Sequence, residues 1–183
     1  QSHGNTISGQ VGKTAVFSIF GTGMWGTPGN CETTQAGFDG GLYGAGTSCR
    51  ILFDWQAGHN YGISATITSE DGSGKIWTGV VADYTSGQVT TIGQIKTPSS
   101  WKGVGSWSTM WTEYFGGQPA SCGQQPYSRV KFTQPRVNGT IAPKQKTSHY
   151  ATGGQCVSKI TDTGDGGVVQ EMGTRKPVAT HNN

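Results

Sequence analysis

Aromatic side chains and one carboxylate are concentrated in a short stretch, residues 101–115, whose chemistry suits the recognition of sugars. If this stretch is a strand, its alternation places Trp107, Trp111 and Glu113 on one face. Two indoles on one face can stack against sugar rings, and the carboxylate can accept hydrogen bonds from hydroxyl groups. The alternative is that these indoles belong to the core, where large aromatic residues usually lie. We treat the three residues as candidate ligand contacts.

Two further aromatic residues, Trp25 and Tyr43, lie in a connection, residues 21–46, that contains nine glycines. A long glycine-rich connection is uncommon in a folded domain unless it is functional or disordered. A disulfide within this connection would argue for order. We therefore add Trp25 and Tyr43 to the candidate ligand contacts.

Catalytic chemistry is less well supported by the sequence. Glycoside hydrolysis generally needs two carboxylates that flank one bond. The acids in predicted sheet positions are Asp39, Asp54, Asp83 and Glu113, and nothing in their spacing pairs any two of them. A lyase would need a basic side chain, for which His59 and Tyr61 in a predicted turn are weak candidates. A Gly-x-Ser-x-Gly motif is absent. The sequence assigns no catalytic residue.

The four cysteines, Cys31, Cys49, Cys122 and Cys156, are an even set without the two-residue spacing of zinc or redox sites. Three disulfide pairings are open, and we favour Cys31 with Cys49 and Cys122 with Cys156. Each such bridge contributes about 3 to 4 kcal/mol in the chain-entropy model. Disulfides predict an oxidising compartment, and four reduced thiols in a cytosolic protein are the alternative. We expect the protein to be secreted and extracellular.

Neither a metal nor a cofactor is predicted. The segment Asp162–Gly167 has two acids in a glycine-rich turn, but it lacks the third acid and the distal glutamate of an EF-hand. A plain Asp-Gly turn explains it better. The terminal Gln1-Ser2-His3 has a spacing that can chelate copper or nickel through a free amino terminus, but mobile termini with this spacing rarely do so.

Composition and charge favour a single all-β domain. The chain has 183 residues, of which 13% are charged and 31 are glycine, with six each of Trp, Tyr and Phe. This mixture is typical of many short strands joined by tight turns. A net charge of +3 from scattered basic residues predicts no nucleic-acid partner. No apolar run approaches the ~20 residues that span a bilayer.

The period of two in apolar residues predicts an antiparallel meander over residues 49–84, with strands at 51–55, 63–67 and 76–84. Further strands are predicted at Thr14–Phe20, in a central sheet position, and at 88–96 and 127–132. A final hairpin is predicted over 156–160 and 168–172. We expect an antiparallel β-sandwich, jelly-roll or concanavalin-like, as a single domain over 1–183 with two disulfides. The termini, 1–13 and 173–183, are expected to be loose, the first with an edge strand as its alternative.

A set of glycine and aromatic landmarks resembles the secreted family called domain of unknown function 3472. The residues that carry the resemblance are Phe17-Ser18-Ile19-Phe20, Gly37-Phe38, Gly40, Gly41, Gly44, Gly46, Phe53-Asp54-Trp55, Gly58, Tyr61, Thr78-Gly79, Ile95, Pro98 and Glu113-Tyr114-Phe115. The resemblance covers residues 14–137. It implies a secreted, mostly bacterial or fungal β-sandwich that is often carbohydrate-directed and has no established activity. The chain has Gly41-Leu42-Tyr43 where the family has an acid.

The favoured function is a secreted glycan-binding module that recognises cell-wall or surface polysaccharide through exposed aromatic residues. A glycan-active hydrolase or lyase that uses carboxylates on a sheet face is the first alternative. A secreted effector, inhibitor or toxin that binds a protein partner is the second. A membrane span is not expected under any of the three hypotheses.

Overall fold

The computed structural model describes residues 5–7, 10–21, 23–34, 45–103, 110, 112, 121–141 and 158–173. The chain divides into two compact units, residues 1–104 and 105–183. Apart from one short 3-10 helix, Cys122–Gln124, every element of the described residues is a strand, and every strand pair is antiparallel. The all-β prediction is therefore confirmed. The single sandwich domain stays a prediction.

The described residues of the first unit form nine strands in three sheets. The strands are β1 (Asn5–Ile7), β2 (Gln10–Gly12), β3 (Thr14–Phe20), β4 (Trp25–Gly26), β5 (Cys31–Thr34), β6 (Gly46–Leu52), β7 (Tyr61–Asp71), β8 (Gly74–Asp83) and β9 (Gln88–Pro98). Strands β1 and β2 form a hairpin, β3-β6-β5 form a three-stranded sheet, and β4-β9-β8-β7 form a four-stranded sheet. The first two strands lie in the amino-terminal segment for which an edge strand or a loose arm was expected.

The core of the first unit contains side chains from both larger sheets. Met24, Cys49, Val81, Ile92 and Ile95 are buried together, and residues from β3, β5 and β6 pack against them. Strands β9 and β6 can approach each other closely because Gly93 of β9 faces Cys49 of β6. A methyl group added at Gly93 would lie 2.5 Å from the Cys49 Cβ. One face of the four-stranded sheet therefore packs on β6 at this point.

A disulfide joins Cys31 to Cys49, and the two residues lie directly opposite each other on β5 and β6. This pairing confirms the first of the two predicted bridges. Cys122 begins the 3-10 helix, whereas its predicted partner, Cys156, lies outside the described residues. The second bridge stays a prediction.

The predicted meander is confirmed in part. Strands β7, β8 and β9 are consecutive neighbours, and Gly72-Ser73 forms the turn between β7 and β8. The first predicted strand is wrong in its partner and its end, because β6 ends at Leu52 and pairs with β3 and β5. Alternation sets the faces of a strand, but it does not choose the neighbouring strand. The link from Phe53 to Asn60 therefore joins two sheets and is not a hairpin.

The central strand of the three-stranded sheet was also wrongly predicted. Strand β3 has the predicted bounds, but among the described strands it lies at one edge, and β6 lies between β3 and β5. Residues 46–49 of β6 are all buried, whereas most of β3 is half-buried. Apolar residues on both faces of β3 did not indicate a central position, because an edge strand can also be partly covered on both faces.

The second unit contains a three-stranded sheet with the order β10-β14-β13 and a small hairpin, β11-β12. The strands are β10 (Ser128–Phe132), β11 (Arg136–Val137), β12 (Thr140–Ile141), β13 (Ser158–Asp162) and β14 (Val168–Met172). The predicted strand near 127–132 and the final hairpin are confirmed. In the part of the chain described here, no helix is long and apolar enough to cross a bilayer.

We predict that Gly93→Ala lowers the free energy of unfolding by about 1 to 3 kcal/mol, because overpacking displaces the disulfide against which Gly93 lies. Gly72→Ala is the matched control, since a methyl group there meets nothing within 4 Å, and it should change that free energy by at most about 0.5 kcal/mol. Urea unfolding of both variants tests the prediction. Equal effects of the two substitutions would contradict it.

Candidate functional site

Of the five predicted ligand contacts, the structure describes Trp25. This residue lies on β4, at the edge of the four-stranded sheet, and its side chain is 49% exposed. Tyr43, Trp107, Trp111 and Glu113 lie outside the described residues. The candidate site is therefore built from Trp25 and from the residues that the sheet places beside it.

The strand register places Trp25 on the side of the sheet that faces away from the core. Trp25 pairs with Lys96, which pairs with Ile76. The next residues along each strand, Gly26, Ile95 and Trp77, form the neighbouring row, and Ile95 is fully buried in the core. Directly opposed residues share a face and successive residues alternate. We call the side that carries Trp25 the outer face; its polar members include Thr66, Thr68, Thr78, Gln94 and Lys96.

Hydroxyl and amide groups form a row across the outer face. Thr66, Thr78 and Gln94 lie opposite one another on β7, β8 and β9. The Gln94 Nε2 donates to the Thr78 Oγ1 at 3.1 Å, and the hydroxyl oxygens of Thr78 and Thr68 are 2.8 Å apart. These contacts hold the side chains in one network, in which Thr78 is buried and Thr66 and Thr68 are exposed. The exposed hydroxyl groups can act as donors and as acceptors.

A charged cluster lies at the same end of the sheet as Trp25. The Lys96 ammonium donates to the Ser73 hydroxyl and lies 3.6 Å from the Asp71 Oδ1. Asp71 accepts hydrogen bonds from the Ser73 hydroxyl and from the backbone N–H groups of Ser73 and Gly74. These hydrogen bonds, with the charge of Lys96, lower the pKa of Asp71 from 3.8 to about 2. Asp71 is therefore an anion at neutral pH.

A second exposed aromatic residue, Tyr84, lies beyond the far end of β8 and is 68% exposed. Its ring lies over Gly62, because a methyl group added at Gly62 would clash with the phenol. Gly62 pairs with Ala82, two residues beyond Val80 and four beyond Thr78, so this ring lies on the outer face. Tyr84 is not among the predicted ligand contacts, although its even spacing from Thr78 on the predicted strand indicates the shared face.

A histidine and an aspartate meet at the end of β8. The His59 Nδ1 lies 2.7 Å from the Asp83 Oδ2, and Asp83 also accepts hydrogen bonds from the Thr85 N–H and from the Ser86 N–H and hydroxyl. Burial raises the pKa of Asp83, but hydrogen bonds from His59, Ser86 and Thr85 outweigh it and lower this pKa to about 2. His59 stacks on Tyr61, with ring centroids 6.0 Å apart. The contact between His59 and Asp83 joins the link over residues 53–60 to the turn after β8.

The other carboxylates considered for catalysis are not brought together in the described part. The Asp54 carboxylate is 2.8 Å from the Lys13 Nζ, which lowers the pKa of Asp54, and Asp83 is held by His59. Asp39 and Glu113 lie outside the described residues. In the turn over residues 162–167, Asp162 accepts the Gly164 N–H, and Asp165 accepts the Gly167 N–H and contacts Lys131. This is the pattern of a plain turn, and the described residues contain no cluster of three metal-ligating side chains.

Comparison with protein-family models, curated proteins and solved structures finds no match to this chain. The resemblance to domain of unknown function 3472 therefore stays a prediction.

We predict that Asp83→Asn lowers stability at neutral pH and that the difference from wild type shrinks below about pH 4. The Asp83 pKa lies below its ordinary value, so the ionised carboxylate stabilises the fold above pH 4, and this stabilisation is lost as the pH falls towards 2. Urea unfolding of both proteins between pH 7 and 2 measures the difference. A difference that is constant over this range would contradict the assignment.

Proposed function

We propose that this chain is a secreted glycan-binding module that holds a cell-wall or surface polysaccharide against the outer face. The observation that carries the proposal is the half-exposed Trp25 indole, which lies on the same face as the row that runs from Gln94 through the buried Thr78 to the exposed hydroxyl of Thr66. Sugar rings need an aromatic surface for their C–H faces and polar groups for their hydroxyls. The outer face offers both.

The exposure of Trp25 is informative when it is compared with that of Trp77, which lies in the neighbouring row of paired residues and on the core side of the sheet. Trp77 is 8% exposed, and its Nε1 donates to the Thr97 hydroxyl within the core. The fold can therefore bury an indole and satisfy its N–H group. An indole left 49% exposed on β4 contributes less to the core than a buried one would, which favours a role in recognition.

The length of the outer face suits an extended polysaccharide. Trp25 lies level with Ile76 on β8, and Tyr84 lies eight residues further along the chain. At about 3.3 Å per residue this separation is roughly 26 Å, enough for several sugar units in a row. The Asp71 carboxylate and the Lys96 ammonium add groups that accept and donate hydrogen bonds at the Trp25 end.

The finer architecture and the location belong to the same proposal. Packing of β6 against β9 supports an antiparallel β-sandwich of the jelly-roll or concanavalin-like type. The Cys31–Cys49 disulfide supports secretion into an oxidising, extracellular environment, because such bonds persist there.

The His59–Asp83 contact favours a second candidate, a glycan-active lyase or hydrolase. A carboxylate that accepts a hydrogen bond from one ring nitrogen orients the other as a general base. The His59 side chain is 31% exposed, so it can meet a substrate. His59→Ala would abolish the release of reducing or unsaturated ends from a polysaccharide if this candidate is correct. Absence of product release by the wild-type protein would rule it out.

We predict that Trp25→Ala weakens binding to the recognised polysaccharide at least tenfold, because truncation of a tryptophan that anchors an interface costs about 2 kcal/mol or more. Trp25→Phe should retain part of the affinity. The measurement is isothermal titration against soluble glucans, xylans, chitin oligomers and peptidoglycan fragments.

Val11→Ala is the control for this prediction, since Val11 is 70% exposed and lies on the β1-β2 hairpin, outside the four-stranded sheet. It should bind as the wild type does. If no polysaccharide in the panel binds the wild-type protein, or if Trp25→Ala binds unchanged, the outer face is not a glycan site.

A further inference from the structure

Strand β7 is an exposed edge strand. It contains eleven residues, and among the described strands only β8 pairs with it. From Ile63 to Asp71 every residue is exposed, on both faces of the sheet. Ile63 and Ile67 are 78% and 42% exposed, and they lie on the face opposite to the outer face, because they pair with Val81 and Trp77. A long edge strand with exposed apolar residues is a template for pairing with another strand.

The usual protections of an edge strand are weak in β7. From Tyr61 to Ser69 the strand has no proline and no Asp, Glu, Lys or Arg. The two acids at its end are held within the same chain, Glu70 by Lys75 at 2.9 Å and Asp71 by Lys96 at 3.6 Å. The one irregularity, a register shift between Ile67 and Ser69, follows the regular part of the strand. Residues 61–67 therefore remain open to pairing.

We propose that two copies of this chain form a dimer by antiparallel pairing of β7 with β7, about a two-fold axis at Ala65. In this register Ile63 of one copy lies opposite Ile67 of the other, and Ser64 lies opposite Thr66, each pair occurring twice. The pairing matches apolar with apolar and hydroxyl with hydroxyl, which are the favourable cross-strand pairs. A second copy is the occupant because the strand complements itself in this register.

Neighbouring registers are poorer. An axis at Thr66 would place Ile63 opposite Ser69 and Ile67 opposite Ala65, so no isoleucine would meet another. An axis between two residues would place Ile63 and Thr66 on one face, although they lie on opposite faces of β7. With the axis at Ala65, Glu70 and Asp71 lie beyond the paired residues 63–67, so their charges do not meet in the centre of the interface. This interface is independent of the proposed glycan site, because it uses the edge of the sheet and leaves the outer face open.

The mass of the wild-type protein in solution is the first test, measured by analytical ultracentrifugation over a range of concentrations. We expect twice the 19.2 kDa of the chain, with a fall towards the mass of one copy on dilution. Ala65→Lys should give a monomer at every concentration, because it places two ammonium groups together at the axis. Val89→Lys, at a site 69% exposed on β9, should dimerise as the wild type does.

Cysteine cross-linking tests the register. Ala65→Cys places two thiols opposite each other, with Cα atoms about 4.5 to 5.5 Å apart, within the range of a disulfide. Mild oxidation should convert most of this variant into a covalent dimer. Thr66→Cys faces Ser64 of the second copy and should not cross-link above background. A monomeric wild type, larger open assemblies, or equal cross-linking of both variants would each overturn the proposal.

Discussion

The contact between Gly93 and the Cys31–Cys49 disulfide determines how the two larger sheets of the first unit meet. Because Gly93 has no side chain, β9 can approach β6 until its backbone lies against the sulfur atoms, and both sulfur atoms lie 3.8 Å from the Gln94 carbonyl oxygen. Ile92 and Ile95 on either side of this contact are buried. The contact therefore fixes which face of the four-stranded sheet points inwards.

The outer face follows from that choice of inward face. Once Ile95 and Trp77 point to the core, the alternation of β8 and β9 leaves Thr78, Gln94 and Lys96 on the other side. Trp25 joins them because β4 pairs with β9 at Lys96. The polar row and the indole are thus consequences of strand register. A displacement of β9 by one residue would bury Gln94 and expose Ile95, so the core and the candidate site depend on the same register.

The sequence predicted the elements better than their neighbours. An apolar run predicted the bounds of β3, Thr14 to Phe20, and turn residues located the hairpin at Gly72-Ser73, because both features depend on adjacent residues. The partners of β6 are β3 and β5, which lie in earlier parts of the sequence, so alternation within β6 could not identify them. The candidate site shows the same limit: Trp25 stood out as an aromatic residue in a glycine-rich segment, but Lys96 is 71 positions away and is brought beside it by pairing alone.

The two proposals reinforce each other in geometry. Antiparallel pairing of β7 with β7 requires a two-fold axis normal to the sheet, so two four-stranded sheets become one sheet with both outer faces on the same side. A single exposed indole binds a sugar weakly, because one small contact does little more than offset the loss of translational and rotational freedom on association. Two such faces on one side can bind one polysaccharide at two places, or can bind two neighbouring chains of a cell wall. The first contact then raises the effective concentration for the second contact. Dimerisation through β7 would thus convert a weak recognition surface into one of useful avidity without any additional contact residue.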